Sequence, residues 1–385
     1  QDTYTFQKIY GHRYPEFEAE VREAIQGGLR QLRWEMGHEH RFAPADPANK
    51  RDFRPGFVAL ALLTLRKADV PGNDPLVLKC LDYLRANPVQ NTYSLGTGLM
   101  ALEAHYARPG EREMLIEGQI ERPFERSPSP QDRRLMEGWV QTLCGLVDPR
   151  TDRGYLSRWR YEGEQDFDNS NTQYAVLGLH SASLCGLDVP GRLLQGAAAH
   201  FIQEQERTGE MVPLPALVTH QELARMAREG RSLARRTTVK VPARGFSYHA
   251  RGYPTGSMTA AGIATLSIAA AMVPAPARSG KAWTNLGASL REAYAWLHSE
   301  FSARENPLAG QSWYHYYLYG LERAMELNSI ARLGERDWYW EGALHLLRSR
   351  TAPQGGWHGA ESNCFAVLFL KKAQLPVSTG RPPSR

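Results

Sequence analysis

Two kinds of helical segment alternate along the chain. Residues 282–301 are typical of the first kind, with charged side chains gathered on one face. Residues 257–272 are typical of the second kind, with apolar or small side chains on nearly every face. A helix of the first kind can border solvent, whereas a helix of the second kind is expected in the interior. The pattern predicts outer helices over 17–36, 75–85, 131–147, 191–207, 284–301 and 338–350, and inner helices over 56–68, 94–106, 171–185, 256–272, 313–327 and 362–373.

The alternation recurs about every 50–70 residues, and a recurrence of that length is typical of repeat architectures. Six inner helices surrounded by six outer helices satisfy both patterns. We therefore predict an all-α fold, an α/α toroid, as a single domain over 1–373. An open α-solenoid is the rival arrangement, but it would leave one face of each inner helix in water. Residues 374–385 are expected to form a flexible terminus.

An arginine-rich insertion over 213–252 interrupts the fourth helix pair. Thr219 and Glu222 have the spacing of a capping box, so a helix is predicted from there to about residue 236. This helix is either a solvated surface element or one that lies on an anionic membrane surface or an acidic protein partner. We expect it at the N-terminal ends of the inner helices, where it would control access to the centre. Its basic residues are Arg225, Arg228, Arg231, Arg235 and Arg236.

Composition narrows the class of protein. The chain has 385 residues with a net charge of +5, and no apolar run approaches the roughly 18 residues of a membrane-spanning helix. Its 46 basic residues are mostly Arg, but no nucleic-acid-binding motif accompanies them, so no nucleic-acid partner is expected. The four cysteines include no C-x-x-C pair and are predicted to be buried free thiols. The compartment stays open, although a chain that begins at Gln1 fits a processed, exported protein.

The turns between helices carry a resemblance. Gln354-Gly355-Gly356-Trp357 precedes the last inner helix, and Gln205-x-x-x-Gly209-x-Met211 follows the fourth outer helix. Both resemble the Q-x-x-x-G-x-W repeat of squalene–hopene and oxidosqualene cyclases, with Met211 standing where Trp is usual. Segments 168–179 and 362–373 also resemble bacterial squalene-cyclase-like repeat proteins, which are common in planctomycetes and often exported. The resemblance implies a toroid with an apolar, isoprenoid-like or lipid ligand in its central cavity.

The same resemblance argues against cyclase chemistry. Class II terpene cyclases carry D-x-D-D-T-A at the start of an inner helix, and the middle Asp protonates an alkene. Alignment on Thr172 places Ser170 at that middle position, and a serine cannot supply the strong acid that the step needs. Asp166 and Asp168 remain as candidate catalytic carboxylates. We expect no cyclisation of squalene, and whether the protein is an enzyme stays open.

A zinc site of the protein prenyltransferase type is also not expected. Trp313-Tyr314-His315 resembles the stretch that holds the zinc-binding His of those enzymes. The Asp-x-Cys zinc ligands of the prenyltransferases would align with Gly256-Ser257-Met258 of this chain. Zinc needs three or four converging ligands, and only His315 is present. No metal or other cofactor is therefore predicted.

The N-terminal ends of the inner helices are the best candidate for a binding site. Free N–H groups and the helix dipoles make that edge favourable for anions and polar ligands. Polar side chains there have a simpler explanation, because Asn, Ser, Thr and Asp cap helices. These polar ends and the aromatic inner helix over 313–327 favour a protein that binds an apolar ligand in its centre. The alternative is a non-catalytic protein-interaction scaffold with a filled cavity. The candidate ligand-binding residues are Asp168, Asn171, Gln173, Tyr253, Trp313, His315, Tyr316, Trp357 and Asn363.

Overall fold

The structure is a computed structural model, and it describes residues 14–148, 156–164, 166–230, 238–250, 252–274, 278 and 281–377. This part of the chain is mostly helical with a few short strands, as the sequence predicts for an all-α protein. All twelve predicted long helices are present, and their ends fall within three residues of the predicted ends. The alternation of one-sided and all-round apolar segments was therefore sufficient to locate them.

The six inner helices are buried over most of their length, whereas the six outer helices keep one exposed face. The outer helices are α1 (Tyr14–Met36), α3 (Pro75–Ala86), α6 (Pro130–Gly145), α8 (Gly191–Glu204), α11 (Lys281–Ser299) and α13 (Trp338–Arg348). The inner helices are α2 (Arg54–Lys67), α4 (Thr92–Tyr106), α7 (Asn169–Leu184), α10 (Gly256–Met272), α12 (Tyr314–Glu326) and α14 (Ala360–Lys371). Shorter elements are the 3-10 helix Glu39–Phe42, helices α5 (Glu111–Ile116) and α9 (His220–Arg228), and strands β1 (Met211–Pro215), β2 (Val218–Thr219), β3 (Thr238–Pro242) and β4 (Ile330–Arg332).

The inner helices contact one another in cyclic order. Helix α2 packs on α4, α4 on α7, α7 on α10, α10 on α12 and α12 on α14, and α14 returns to α2. The outer helices pack against this set, with α3 on α2, α6 on α4, α8 and α11 on α10, and α1 and α13 on α14. Helix α10 is buried from Gly256 to Ala269, which confirms that the most apolar segment lies inside.

Small residues allow the inner helices to approach at backbone distance. A Cβ atom built on Gly96 of α4 would lie 2.3 Å from the carbonyl oxygen of Tyr174 in α7. A Cβ atom on Gly178 of α7 would lie 2.7 Å from the Cα atom of Gly96. Both distances are far below van der Waals contact, so no side chain fits where these helices cross.

A repeated hydrogen-bond pattern joins the outer helices to the inner ones. The backbone N–H groups of Trp159, Phe246 and Trp357 donate to side chains of the following inner helix, at 3.1, 3.2 and 3.2 Å. The acceptors are Thr172, Thr259 and Asn363, each the fourth residue of its helix. The indoles of Trp159 and Trp357 also donate to carbonyl groups in the last turn of the preceding outer helix. The two tryptophans therefore attach their turns both to the preceding outer helix and to the following inner helix.

This pattern corrects the alignment of the fourth turn. Met211, which the motif match placed at the Trp position, is 53% exposed and lies in β1. Phe246 is fully buried and makes the hydrogen bond that defines the position. The motif match failed because the insertion separates Gln205 from Gly245-Phe246 along the chain. In space the two ends of the insertion are adjacent, since Gln205 Nε2 donates to the Arg244 carbonyl at 2.9 Å.

The insertion forms a two-stranded antiparallel ribbon, which we call the hairpin, and a short helix that lies between its strands in sequence. Strands β1 and β3 pair antiparallel and pack on α11, and β2 pairs with β4. The Thr219 hydroxyl accepts from Glu222 N–H at 3.2 Å, which confirms the predicted cap of α9. The helix was predicted to continue to residue 236 but ends at Arg228. Arg231, Arg235 and Arg236 lie outside the described residues.

The location predicted for this insertion is wrong in its described part. His220 N–H donates to the Ser329 carbonyl at 2.9 Å, and His220 Nε2 lies 3.2 Å from Glu326 Oε1. Helix α9 therefore begins beside the C-terminal end of α12 and not at the N-terminal ends of the inner helices. The hairpin explains the difference, because a five-residue strand carries the chain about 15 Å from its point of departure.

The segment predicted to be a flexible terminus is in part packed. Gln374 N–H donates to Glu322 Oε1 at 2.8 Å, and Val377 N–H donates to the Leu327 carbonyl at 3.0 Å. Leu375 is buried. The prediction of flexibility is therefore wrong for Gln374–Val377, because the buried carboxyl group of Glu322 attaches this segment to α12. Residues 378–385 lie outside the described part of the chain.

Two further expectations are met where the structure describes the chain. The cysteines are free, with Cys80, Cys185 and Cys364 buried and Cys144 half-buried. Within the described ranges, none of the helices combines the length and the apolar character required to cross a membrane.

The close crossing of α4 and α7 can be tested with paired glycine variants. We expect Gly96→Ala to lower the free energy of unfolding by about 1–3 kcal/mol, because its methyl group would overlap backbone atoms. Gly138→Ala in α6 is the control, since a Cβ atom there meets no atom within 4 Å. It should leave stability unchanged or raise it by up to about 1 kcal/mol. Urea denaturation measures both, and equal effects would contradict the proposed contact.

Candidate functional site

Aromatic side chains from four inner helices meet in the space that these helices enclose. Tyr93 of α4 contacts Tyr174 of α7 with ring centroids 4.8 Å apart. Tyr174 lies nearly parallel to Tyr316 of α12 at 6.2 Å, although α10 separates α7 from α12 in the order of contacts. Phe365 of α14 packs on Tyr316 and Tyr319 at 5.7 and 5.6 Å. We call these five residues the interior cluster.

The interior cluster lies in the space that an apolar ligand would occupy, with Tyr174 and Tyr319 buried and the other three side chains half-buried. A cavity does lie near the C-terminal ends of the inner helices, lined by residues of α2, α4, α7 and α12 and by Ala373–Leu375. Its volume is about 20 Å³, which is room for about one water molecule. Pockets for small organic ligands measure about 300 Å³ or more. An isoprenoid would therefore not fit this cavity.

A directed chain of hydrogen bonds runs along the N-terminal side of this cluster. The Tyr93 hydroxyl donates to Ser170 Oγ, which lies 2.8 Å from the Tyr316 hydroxyl. The Tyr316 hydroxyl donates to Gln173 Oε1 at 3.1 Å, and since it has one proton, Ser170 must be the donor in the bond between them. Nε2 of Gln173 is buried without a partner.

The groups in this chain of hydrogen bonds are poorly suited to acid or nucleophilic catalysis. Ser170 stands where the cyclase acid would be, and its hydroxyl is hydrogen-bonded to phenols rather than to a base. Burial raises the pKa of Tyr93 and of Tyr316, so both remain neutral at physiological pH. Neither alkene protonation nor activation of a serine nucleophile has the groups it needs here.

The two candidate carboxylates do not face the interior. Asp168 is buried and caps α7, accepting from the backbone N–H and from Nδ2 of Asn171, both at 2.7 Å. Burial raises its pKa, against these hydrogen bonds. Asp166 is exposed and forms an ion pair with Arg160. The capping explanation therefore holds for Asp168 and for its partner Asn171.

The remaining candidate residues divide into exposed and structural ones. Tyr253 and Trp313 are 90% and 78% exposed, and His315 is half-buried, with its pKa lowered to about 4 by burial. Trp357 and Asn363 are buried. Asn363 Nδ2 donates to the Gly28 carbonyl at 2.9 Å and its oxygen accepts from Trp357, so these two residues hold a turn and are not available to a ligand.

Aromatic residues that the sequence analysis missed extend the exposed set. Phe53, just before α2, lies 5.8 Å from the ring of Tyr161, and the Tyr161 and Tyr248 hydroxyls are 3.3 Å apart. The guanidinium groups of Arg51 and Arg160 lie 5.4 and 5.9 Å from the Tyr161 ring centre. These contacts join the N-terminal ends of α2, α4 and α7, since Thr92 N–H donates to the Tyr161 carbonyl and Asn169 N–H to that of Tyr248.

The loop before α12 presents apolar side chains to solvent in a strained form. Leu308 and Trp313 have φ values of 58° and 57°, in the left-handed region that large side chains rarely adopt. Asn306 holds this loop, accepting from Ser257 N–H at 2.9 Å and donating to the Ser312 carbonyl at 3.1 Å. Strain that is kept by a hydrogen-bond network is often found at functional sites. We call the exposed residues Phe53, Tyr248, Tyr253, Leu308 and Trp313, together with the half-buried Tyr161, the N-terminal face.

Buried charges lie at the opposite, C-terminal end of α12. Glu326 is paired with Arg112 at 2.7 Å and with His220 at 3.2 Å. Burial opposes its ionisation, but these partners outweigh burial and lower its pKa to about 2. Burial and the nearby Glu326 charge raise the pKa of Glu322 to about 8. The sequence held a signal for this cluster, because Glu322, Arg323 and Glu326 lie in a segment predicted to be interior.

Comparisons with family models, with curated proteins and with solved structures gave no match to this chain. In the described ranges, no group of three or more His, Cys, Asp or Glu side chains is arranged to hold a metal ion. Function must therefore be argued from the geometry of this site.

The strain at Trp313 predicts an unusual effect of a glycine substitution. Trp313→Gly should leave the free energy of unfolding unchanged or raise it by up to about 1 kcal/mol, because glycine adopts the left-handed region freely. Trp34→Gly is the matched control, since Trp34 is 50% exposed within α1 and glycine should cost about 0.5–1 kcal/mol there. Chemical denaturation compares the two, and an equal loss in both would show that Trp313 is not strained.

The raised pKa of Glu322 predicts a specific dependence of stability on pH. Its pKa is about 8 in the folded chain against 4.5 for a free group, so the folded state binds the proton more tightly. The resulting stabilisation is complete below about pH 4.5 and is lost as the pH rises through 8. Between pH 6 and 9, Glu322→Gln should reduce the fall in the free energy of unfolding by about 2–3 kcal/mol. The exposed variant Glu137→Gln should keep the wild-type slope, and identical slopes in all three proteins would contradict the assignment.

Proposed function

We propose that the chain is a single α/α toroid and acts as a non-catalytic protein-interaction scaffold. The cyclic order of contacts among α2, α4, α7, α10, α12 and α14 supports an inner ring, with the six outer helices around it. The interior cluster supports a filled centre, because aromatic rings from α4, α7, α12 and α14 occupy it. In this proposal the ring is the support and its binding surface lies outside the centre.

The N-terminal face is the proposed binding surface, and the strained presentation of Leu308 and Trp313 is the observation that carries the proposal. Protein interfaces are enriched in aromatic residues and arginine, and a few anchors supply most of the binding energy. Five of the nine large hydrophobic side chains recorded as exposed in the described ranges belong to this face: Phe53, Tyr248, Tyr253, Leu308 and Trp313. Arg51 and Arg160 lie against it.

A protein partner fits this surface better than an isoprenoid in the centre. The rigid loop fixed by Asn306 holds Trp313 before binding, which lowers the entropy lost on association. Enzymatic cyclisation has no support from the residues around Ser170, which lack a strong acid. The exposed Arg225 and Arg228 of α9 remain a second possible contact for an anionic membrane or an acidic protein.

A capture experiment with matched variants tests the proposal. Wild-type protein, Tyr253→Ala/Trp313→Ala and the control Trp34→Ala are immobilised and exposed to extract from the source cells. We expect at least one protein to bind wild type and control but to bind the double variant at least about 30-fold more weakly, since two anchor residues are removed. Mass spectrometry identifies the captured protein, and titration of that purified protein gives the affinities.

Two outcomes would contradict the scaffold hypothesis. Equal capture by all three proteins would show that the N-terminal face is not the binding surface. An isoprenoid or lipid extracted in stoichiometric amount from freshly purified wild type would instead support the apolar-ligand hypothesis. That ligand would have to displace rings of the interior cluster, so the extraction distinguishes the two functions directly.

A further inference from the structure

A groove on the outer surface lies between the first and the last outer helices. Helix α1 contacts α13, and side chains from both helices line a groove with a volume of about 530 Å³. Pockets for small organic ligands measure about 300–1,000 Å³, so this groove has room for one. None of its lining residues belongs to the N-terminal face or to the interior cluster.

The deepest side chains of the groove are apolar. Phe17 of α1 and Trp340 of α13 are 7% and 8% exposed, with ring centroids 4.0 Å apart. Leu344 and Leu347, about one and two turns further along α13, are half-buried. We call these four residues the apolar floor, because a ligand that enters the groove lies on them.

The charged side chains of the groove lie on its rim. Glu16 and Glu20 project from α1, whereas Arg304 comes from the loop between α11 and α12 and Arg348 from the last turn of α13. All four are exposed, and within the described part of the chain none of them forms an ion pair. Arg350 lines the groove too, but its Nε donates to a carbonyl group in the last turn of α13 at 3.3 Å. Opposite charges therefore face one groove without neutralising each other.

The basic side of the rim is the better place for a charged group of a ligand. Burial lowers the pKa of His345, and the charges of Arg304 and Arg348 lower it further, so both guanidinium groups lie near this ring. In the described part of the chain, no carboxylate acts on this ring in the opposite direction. Helix dipoles favour Glu16 in the first turn of α1 and Arg348 in the last turn of α13, but Arg304 lies in a loop and has no such explanation.

We propose that the groove between α1 and α13 binds a small organic anion with an apolar body, such as the carboxylate of a fatty acid. The carboxylate accepts from Arg304 and Arg348, since guanidinium groups form paired hydrogen bonds with carboxylates. The apolar body extends along the floor to Trp340, about 12 Å from Arg348 along α13. Glu16 and Glu20 set the orientation, because they repel the carboxylate from the α1 side. This site does not depend on the protein partner proposed for the N-terminal face.

Isothermal titration calorimetry of the full chain tests the site with three probes that share one alkyl chain. Decanoate, decanol and decyltrimethylammonium are compared at neutral pH, each below the concentration at which it self-associates. We expect one decanoate per chain, bound at least about 10-fold more tightly than decanol, because only the carboxylate forms charge-assisted hydrogen bonds. The cation should bind more weakly than decanoate. No binding of decanoate, or tighter binding of the cation, would overturn the proposal.

Matched variants locate the carboxylate. Arg304→Gln/Arg348→Gln should bind decanoate no more tightly than decanol. Arg225→Gln/Arg228→Gln, which removes the same charge from exposed positions on α9, should keep the wild-type preference. An equal loss in both double variants would show an effect of net charge alone and would contradict the site.

Crystals of the wild-type protein soaked with decanoate that carries bromine on its terminal carbon supply a measurement that needs no variant. We expect the anomalous peak of the bromine against Phe17 and Trp340. A peak among the rings of the interior cluster would instead support a central apolar-ligand site and overturn this one. Binding of decanoate only to a variant that lacks residues 1–13 would assign the groove to that segment and would also overturn the proposal.

Discussion

The burial of six helices on every side is the constraint on which the rest of the structure depends. A helix such as α10, which has no polar face, must be covered all round, and this chain covers it with two neighbouring inner helices and two outer ones. Crossing at backbone distance through Gly96 and Gly178 keeps the helices close enough to exclude water. The side chains that point away from these contacts line the enclosed space, and the interior cluster of tyrosines and Phe365 is among them.

The turns explain how the pattern tolerates an insertion. In three turns, the backbone N–H of a buried aromatic residue donates a hydrogen bond to the side chain of the fourth residue of the next inner helix. This contact is the same whether or not an insertion precedes the aromatic residue. In the fourth unit the chain leaves after Gln205 and returns at Gly245, where Glu206 N–H meets the Gly245 carbonyl at 3.2 Å. The hairpin and α9 are therefore joined to the packed helices at nearby points, and α9 begins beside the C-terminal end of α12.

The two ends of the inner helices have different characters. At the N-terminal ends, side chains such as Asp168 satisfy the helix N–H groups, and strained or aromatic residues including Trp313 are presented to solvent. At the C-terminal ends, charged groups including Glu326 and Arg112 are buried and paired. The first end therefore exposes apolar side chains to solvent, whereas the second holds ion pairs.

The sequence by itself determined the helices and which of them are interior, because hydrophobic periodicity is a local property that burial follows directly. It also located the cap of α9 and indicated that Ser170 cannot act as a strong acid. Only the tertiary structure decided that Phe246 and not Met211 completes the fourth turn, and that α9 lies beside Glu326. It alone brought Phe53, Tyr161 and Tyr248 together and stacked Arg323 on Tyr319. These are contacts between residues distant along the chain, and they depend on how the helices pack, which no local pattern records.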